Sequence, residues 1–143
     1  MASRAVTGKI TANFFGGIAT STHYADLAEI YSTDEEYEVG TVMAIGGDAE
    51  TTEYDKTKSA FGVISEKPGF LMNKDAEGQA IAFVGRVPVK VNGAVQKGDK
   101  VFADDGGVAT TTKKGELIGF ALATDTNEST KLVEVALRRI NNS

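Results

Sequence analysis

From Glu38 onward, β-branched and other apolar residues come in short runs separated by turn residues. "TVMAI" (41–45), "FGVIS" (61–65), "IAFVG" (81–85), "RVPVKV" (86–91), "KVFA" (100–103), "VATTT" (108–112), "LIGFALA" (117–123) and "KLVEVAL" (131–137) all predict strands. In "RVPVKV", Val87, Val89 and Val91 alternate with Arg86, Pro88 and Lys90, which predicts one buried and one wet face. Pro88 has no amide hydrogen to give a neighbouring strand, so it is expected at an edge or a bulge. "IGGD", "KPGF", "EGQ", "NGAV", "KGDK", "DDGG" and "KKGE" supply the turns between runs. No segment after residue 40 holds an amphipathic helix of useful length. The expected class is all-β, a compact β-barrel or sandwich.

A weak repeat runs through this pattern. "VGTVMAI" (39–45) is followed, after a turn-rich gap, by "FGVIS" (61–65), and "KGDKVFA" (97–103) by "IGFAL" (118–122). Gly40 and Gly62 mark the first unit, Gly98 and Gly119 the second. Glycine inside a strand marks a bulge or a close backbone approach. The spacing predicts internal pseudo-symmetry.

The first 20 residues are different in kind. "TGKITANFFGGIATS" mixes glycine, threonine and alanine with the pair Phe14-Phe15. Exposing adjacent phenylalanines gains a lone monomer little. An extended N-terminal arm (1–20) that packs on something is expected, ahead of a β-rich domain (21–143). Phe14, Phe15 and Ile18 are its candidate contact residues, toward its own body, another copy or a larger assembly.

At the joint lies "THYADLAEIY" (22–31), with the chain's only histidine, His23, then Asp26 and Glu29. Tyr24, Leu27, Ala28 and Tyr31 would share a helical face, but the stretch also alternates with period two. It is short for a helix, so an extended segment or a single helical turn is expected. A zinc site would need more donors than one histidine and no cysteine supply. A Ser-His-Asp arrangement is also disfavoured: no "GxSxG" turn is present, and no serine has a distinguishing context. The expected role is structural, with no catalytic, cofactor or metal residues. "GGDAETT" lacks the lysine of a phosphate loop, and "DDGG" reads as a hairpin turn.

Composition narrows the partners. The chain has 143 residues, a net charge of −5 and no cysteine. One domain of this size buries roughly 70% of its unfolded surface and folds without metal or disulfide. An acidic chain whose only basic clusters are "TTKKG" and "LRRIN" is not expected to bind nucleic acid. No apolar run approaches the ~20 residues of a membrane span. No signal-peptide core follows the start, so synthesis in the cytoplasm is expected.

Taken as ordered blocks, "ATSTHYADLAEIYSTDEEYEVGTVMAIGG", "GRVPVKVNGAVQKGDKVFADDGGVATT", "IGFALAT" and "LVEVAL" resemble a domain of tailed-bacteriophage virion proteins. That domain commonly lies near the C-terminus of fibre or appendage proteins. The arm is similar to the last piece of a fibre shaft. "GDKVFADDGGVATT" also echoes small capsid-decorating proteins. Part of the family resembles self-cleaving appendage domains, in which a hydroxyl beside an "ADxAE"-like block attacks the chain. The matching block here is "ADLAE" (25–29), and the nearby hydroxyls are Thr20, Ser21 and Thr22.

The resemblance implies a non-enzymatic virion structural protein without cofactor, made in the host cytoplasm and assembled with capsid or other virion proteins. A long fibre needs a long shaft, and only ~20 residues precede the domain, each spanning at most ~3.6 Å. A capsid decoration or short head fibre is therefore expected ahead of a tail fibre tip, with host-glycan binding or self-cleavage as further alternatives. Threefold fibres and decorating proteins imply a homotrimer, its arm burying Phe14 and Phe15 for roughly 3–6 kcal/mol.

Overall fold

A computed structural model describes residues 25–138. Among them there is no helix, and ten strands belong to one sheet system. They are β1 (Asp26–Tyr31), β2 (Val42–Ile45), β3 (Thr51–Glu53), β4 (Ala60–Ile64), β5 (Phe70–Met72), β6 (Gln79–Val91), β7 (Lys100–Asp104), β8 (Val108–Thr110), β9 (Leu117–Ala121) and β10 (Lys131–Leu137).

The second half closes into a barrel. β10 pairs with β9, β9 with β7, β7 with β8, and β8 with the end of β6. β6 returns to β10 in an unbroken antiparallel register from Gly85↔Leu137 to Val91↔Lys131. The expected alternation holds there: Val87, Val89 and Val91 are buried against Val133, Val135 and Leu137. Barrel, rather than sandwich, is the outcome. The arm (1–20), with Phe14, Phe15 and Ile18, lies outside the described residues.

Two expected strands, 81–85 and 86–91, are one thirteen-residue strand, β6. Gly85 explains the misreading. It looks like a break, but its φ of 109° lets the backbone pass close to β1, where a Cβ would lie 2.3 Å from the Ala25 carbonyl oxygen. Pro88 pairs with Glu134, and no strand is registered against its other side. It thus has the one-sided place that a missing amide hydrogen requires.

The repeat is real in three dimensions. β2 is flanked by β3 and β4, and β7 by β8 and β9, all antiparallel. The Gly40 amide donates to the Ile64 carbonyl at 2.9 Å, and the Gly98 amide to the Ala121 carbonyl at 2.8 Å. Their φ angles are 90° and 93°. Ile64 N–H donates to Thr41 O, and Ala121 N–H to Asp99 O. Both β2–β4 and β9–β7 carry a register shift beside a glycine unit. Gly62 and Gly119 press on carbonyls of the next strand, Ala82 and Ala136. Each unit is thus a central strand, a hairpin and a returning strand laid on a neighbour. "DDGG" makes the β7–β8 hairpin through Gly106 and Gly107, both at positive φ.

Two strands escaped the pattern: β3 and β5 are only three residues each.

Candidate functional site

The block matched to self-cleaving domains, "ADLAE", is described from Ala25, and Thr20, Ser21, Thr22 and His23 lie outside the described residues. It is extended. β1 runs antiparallel to the first half of β6 and parallel to β5. Asp26, Ala28 and Ile30 point inward, while Leu27, Glu29 and Tyr31 point to the half-covered outer face. Asp26 and Glu29, three positions apart, therefore fall on opposite faces, as period two demands. They cannot share one ligand.

Asp26 is the polar feature of this region. It is only 5% exposed, at the first position of β1. Ser65 Oγ donates to its Oδ2 at 2.7 Å, and the Gly69 amide donates to its Oδ1 at 3.1 Å. The same amide also donates to the Asp26 carbonyl at 2.9 Å. Burial pushes the Asp26 carboxyl up from the ordinary value, against the opposing pull of these donors. The result is a buried pin. It fastens β1, where residues 1–24 join the barrel, to the loop that leads into β5.

Ser65 was missed in the sequence, where no serine stood out. It is 8% exposed and follows β4 directly. A signal was available in the repeat. Ser65 N–H donates to Ala80 O as Leu122 N–H donates to Glu134 O, so Ser65 stands where the second unit has leucine. A hydroxyl in an otherwise apolar position asks for a buried partner.

The outer face of β1 builds a second cluster. Tyr31 meets Phe61 edge to face, with ring centroids 5.0 Å apart. These rings and Tyr37 pack on Met43, Ile64 and Ile81. Tyr31 Oη donates to Glu29 Oε1 at 2.8 Å. Burial and that carboxylate push the Tyr31 phenol up to about 12. Tyr37 Oη donates to Asp34 Oδ1 at 2.6 Å, and Gln79 takes the Tyr37 amide and returns a bond to its carbonyl. Every polar tip here is turned onto a neighbour in the same fold, so the cluster seals the outer side of β1 and β4. Among the described residues, no group of three His, Cys, Asp or Glu side chains is arranged to hold a metal.

No protein-family model matches the chain, and no curated protein does. Solved structures do. The pre-mature bacteriophage phi29 gene product 12 superposes with a TM-score of 0.63 and 15% identity over 80% of this chain. The fold is shared with a phage protein. The chain spans 22% of that protein's length. A C-terminal fragment of the same gene product matches over its whole length, with a TM-score of 0.60, 15% identity and 79% of this chain covered. The N base of the phi29 head fiber gp8.5 gives a TM-score of 0.51 and 12% identity, over 78% of this chain and 92% of that one. At these identities the likeness is one of fold, and at that level the resemblance to phage virion proteins holds.

Proposed function

We propose that this protein is a non-enzymatic structural component of a bacteriophage virion, a small capsid-decorating or short head-fibre protein. The observation that carries the reading is the barrel shared with a head-fiber base over 92% of that chain. It fits a molecule in which the buried Asp26, with Ser65 and Gly69, fastens one segment of the fold to another. The protein works as a homotrimer with other virion proteins as partners. The arm, through Phe14, Phe15 and Ile18, makes the main contact between copies or with the capsid. Labelled antibody on intact particles tests the location: signal on the head supports the reading, and signal on the tail alone overturns it. Light scattering coupled to size exclusion tests the assembly. A trimer is expected, and one that dissociates when Phe14 and Phe15 are changed to serine.

One observation favours a second reading, cleavage of the chain near the joint. Asp26, in the block matched to self-cleaving domains, is buried beside Ser65 and lies close in sequence to Thr20, Ser21 and Thr22. A carboxyl that can move a proton to or from a hydroxyl is what an ester-forming attack on a peptide would need. Against it, both Asp26 oxygens are engaged within the fold. The intact mass of the incubated protein separates the two. A peptide lost near residues 20–26 decides for cleavage, and an unchanged mass for the structural pin.

A further inference from the structure

Across β5, β1 and β6, three apolar side chains form one row. The register sets Leu27 opposite Phe70 on one side and opposite Val84 on the other. Paired residues point to the same face of a sheet. Phe70 is 55% exposed and Val84 38%. β5 is also an edge: among the described residues it pairs with β1 alone. Its next residue, Leu71, turns the other way and packs against the barrel core. An unpaired edge beside an apolar row is what an added strand occupies.

We propose that the N-terminal segment of a second copy lies along β5 as an added strand and covers the Phe70–Leu27–Val84 row. This rests on the trimer reading above and names the surface that receives the arm. The segment suits the seat. "TGKITANFF" is rich in β-branched residues, contains no proline and has one charge. Adjacent residues of a strand point to opposite faces. Phe14 and Phe15 would then divide between the row and the Leu71 side, which accounts for two phenylalanines in succession. The tether argues for a second copy over the same chain. Residues 1–24 join the barrel at Ala25, and the 65–69 loop before β5 is bonded to Asp26 at the same end. The chain's own segment would have to pass around that loop to reach the outer edge of β5.

The chain has no cysteine, so introduced ones are unique. Full-length Phe70→Cys chains are assembled with full-length chains carrying Phe14→Cys or Phe15→Cys, then oxidised gently. A mixed disulfide is expected at least about tenfold above the yield with Ile45→Cys, another exposed apolar site, a preference of about 1.4 kcal/mol. Light scattering on the same samples keeps the two ideas apart. A trimer without the mixed disulfide overturns the seat and leaves the trimer standing, and a monomer overturns both. A Phe15→Cys/Phe70→Cys chain that closes on itself, with no mixed product, also overturns the proposal. Hydrogen exchange gives a readout without cysteines. Amides of Phe70–Met72 are expected to be protected in the natural chain and to exchange faster when Phe14 and Phe15 become serine; equal rates count against the seat.

Discussion

The two halves of β6 are held by different physics. From Gly85 to Val91 it meets β10 in seven consecutive pairs, with valines inward on both strands. From Gln79 to Val84 it meets β1 through a register shift, burying Ile81 and Ala82 with Ala28 and Ile30, while Gln79 adds polar bonds to the Tyr37 backbone. The dry half follows a strict alternation that any β-branched pair can satisfy. The other half adds to its apolar contacts single bonds that only particular residues make. A barrel can thus be generic in its core and specific where a chain segment joins it.

The sharpest way to break the comparison is at its joint. Gly85→Ala places a Cβ 2.3 Å from the Ala25 carbonyl oxygen and 2.7 Å from the Asp26 Cα, at a φ of 109°. Both obstacles are backbone, so β1 must move. A loss of about 3–4 kcal/mol is expected in urea unfolding, with the amides of β1 exchanging before those of β10. Equal loosening of both strands would erase the distinction.

Val89→Ala probes the dry half. Val89 is fully buried, and removing its methyl groups should cost about 2–3 kcal/mol. The loss should be the same across the pH range, since only apolar contacts are removed.

Ser65→Ala probes the pin. It leaves the buried Asp26 carboxyl without its hydroxyl donor and should cost about 1–2 kcal/mol. Here pH matters. Burial raises the Asp26 carboxyl in the fold, so the folded chain holds that proton more tightly than the unfolded one. The resulting stability is present below the unfolded value of 3.8 and is lost as pH rises through the higher folded value. Stability relative to Asp26→Asn should therefore decline over that window, at no more than about 1.4 kcal/mol per pH unit. Asp55 has the opposite sign. Lys58 and Thr57 hold it down at about 2, so its contribution is present above 3.8 and lost as pH falls toward 2. Paired titrations of Asp26→Asn and Asp55→Asn should slope in opposite directions, and parallel slopes would refute the pin's burial.

The smallest effect belongs to the wet face of the barrel. Arg86 and Glu134 pair at 2.9 Å, each about a third exposed. Arg86→Ala should cost about 0.2–1 kcal/mol, less at high salt. A larger loss would mean that the outer face of β6 and β10 is covered in the assembled protein.

Much of this fold was open to local reading. Alternation in "RVPVKV" and "KLVEVAL" set which valines are inside, because side-chain direction in a strand depends only on parity along the chain. The glycines 40, 62, 98 and 119 marked the repeat, because positive φ and close backbone approach are demands that a single residue type meets. β3 and β5 went unread because three residues carry little period and their pairing is imposed by neighbours; β8, as short, was legible only within the longer run "VATTT". Closure into a barrel was likewise undecided in the sequence, since it depends on β6 meeting β10, some forty residues further along. The Asp26–Ser65 bond spans 39 positions. Its members are ordinary residues until folding removes water from both and leaves each as the other's partner. The outward row of Phe70, Leu27 and Val84 comes from three separate runs, and only strand register makes them neighbours. Sequence by itself determined what each residue would do on its own strand; tertiary structure alone decided which strands would share a face, because that choice lies in the pairing of distant segments and in the water they exclude together.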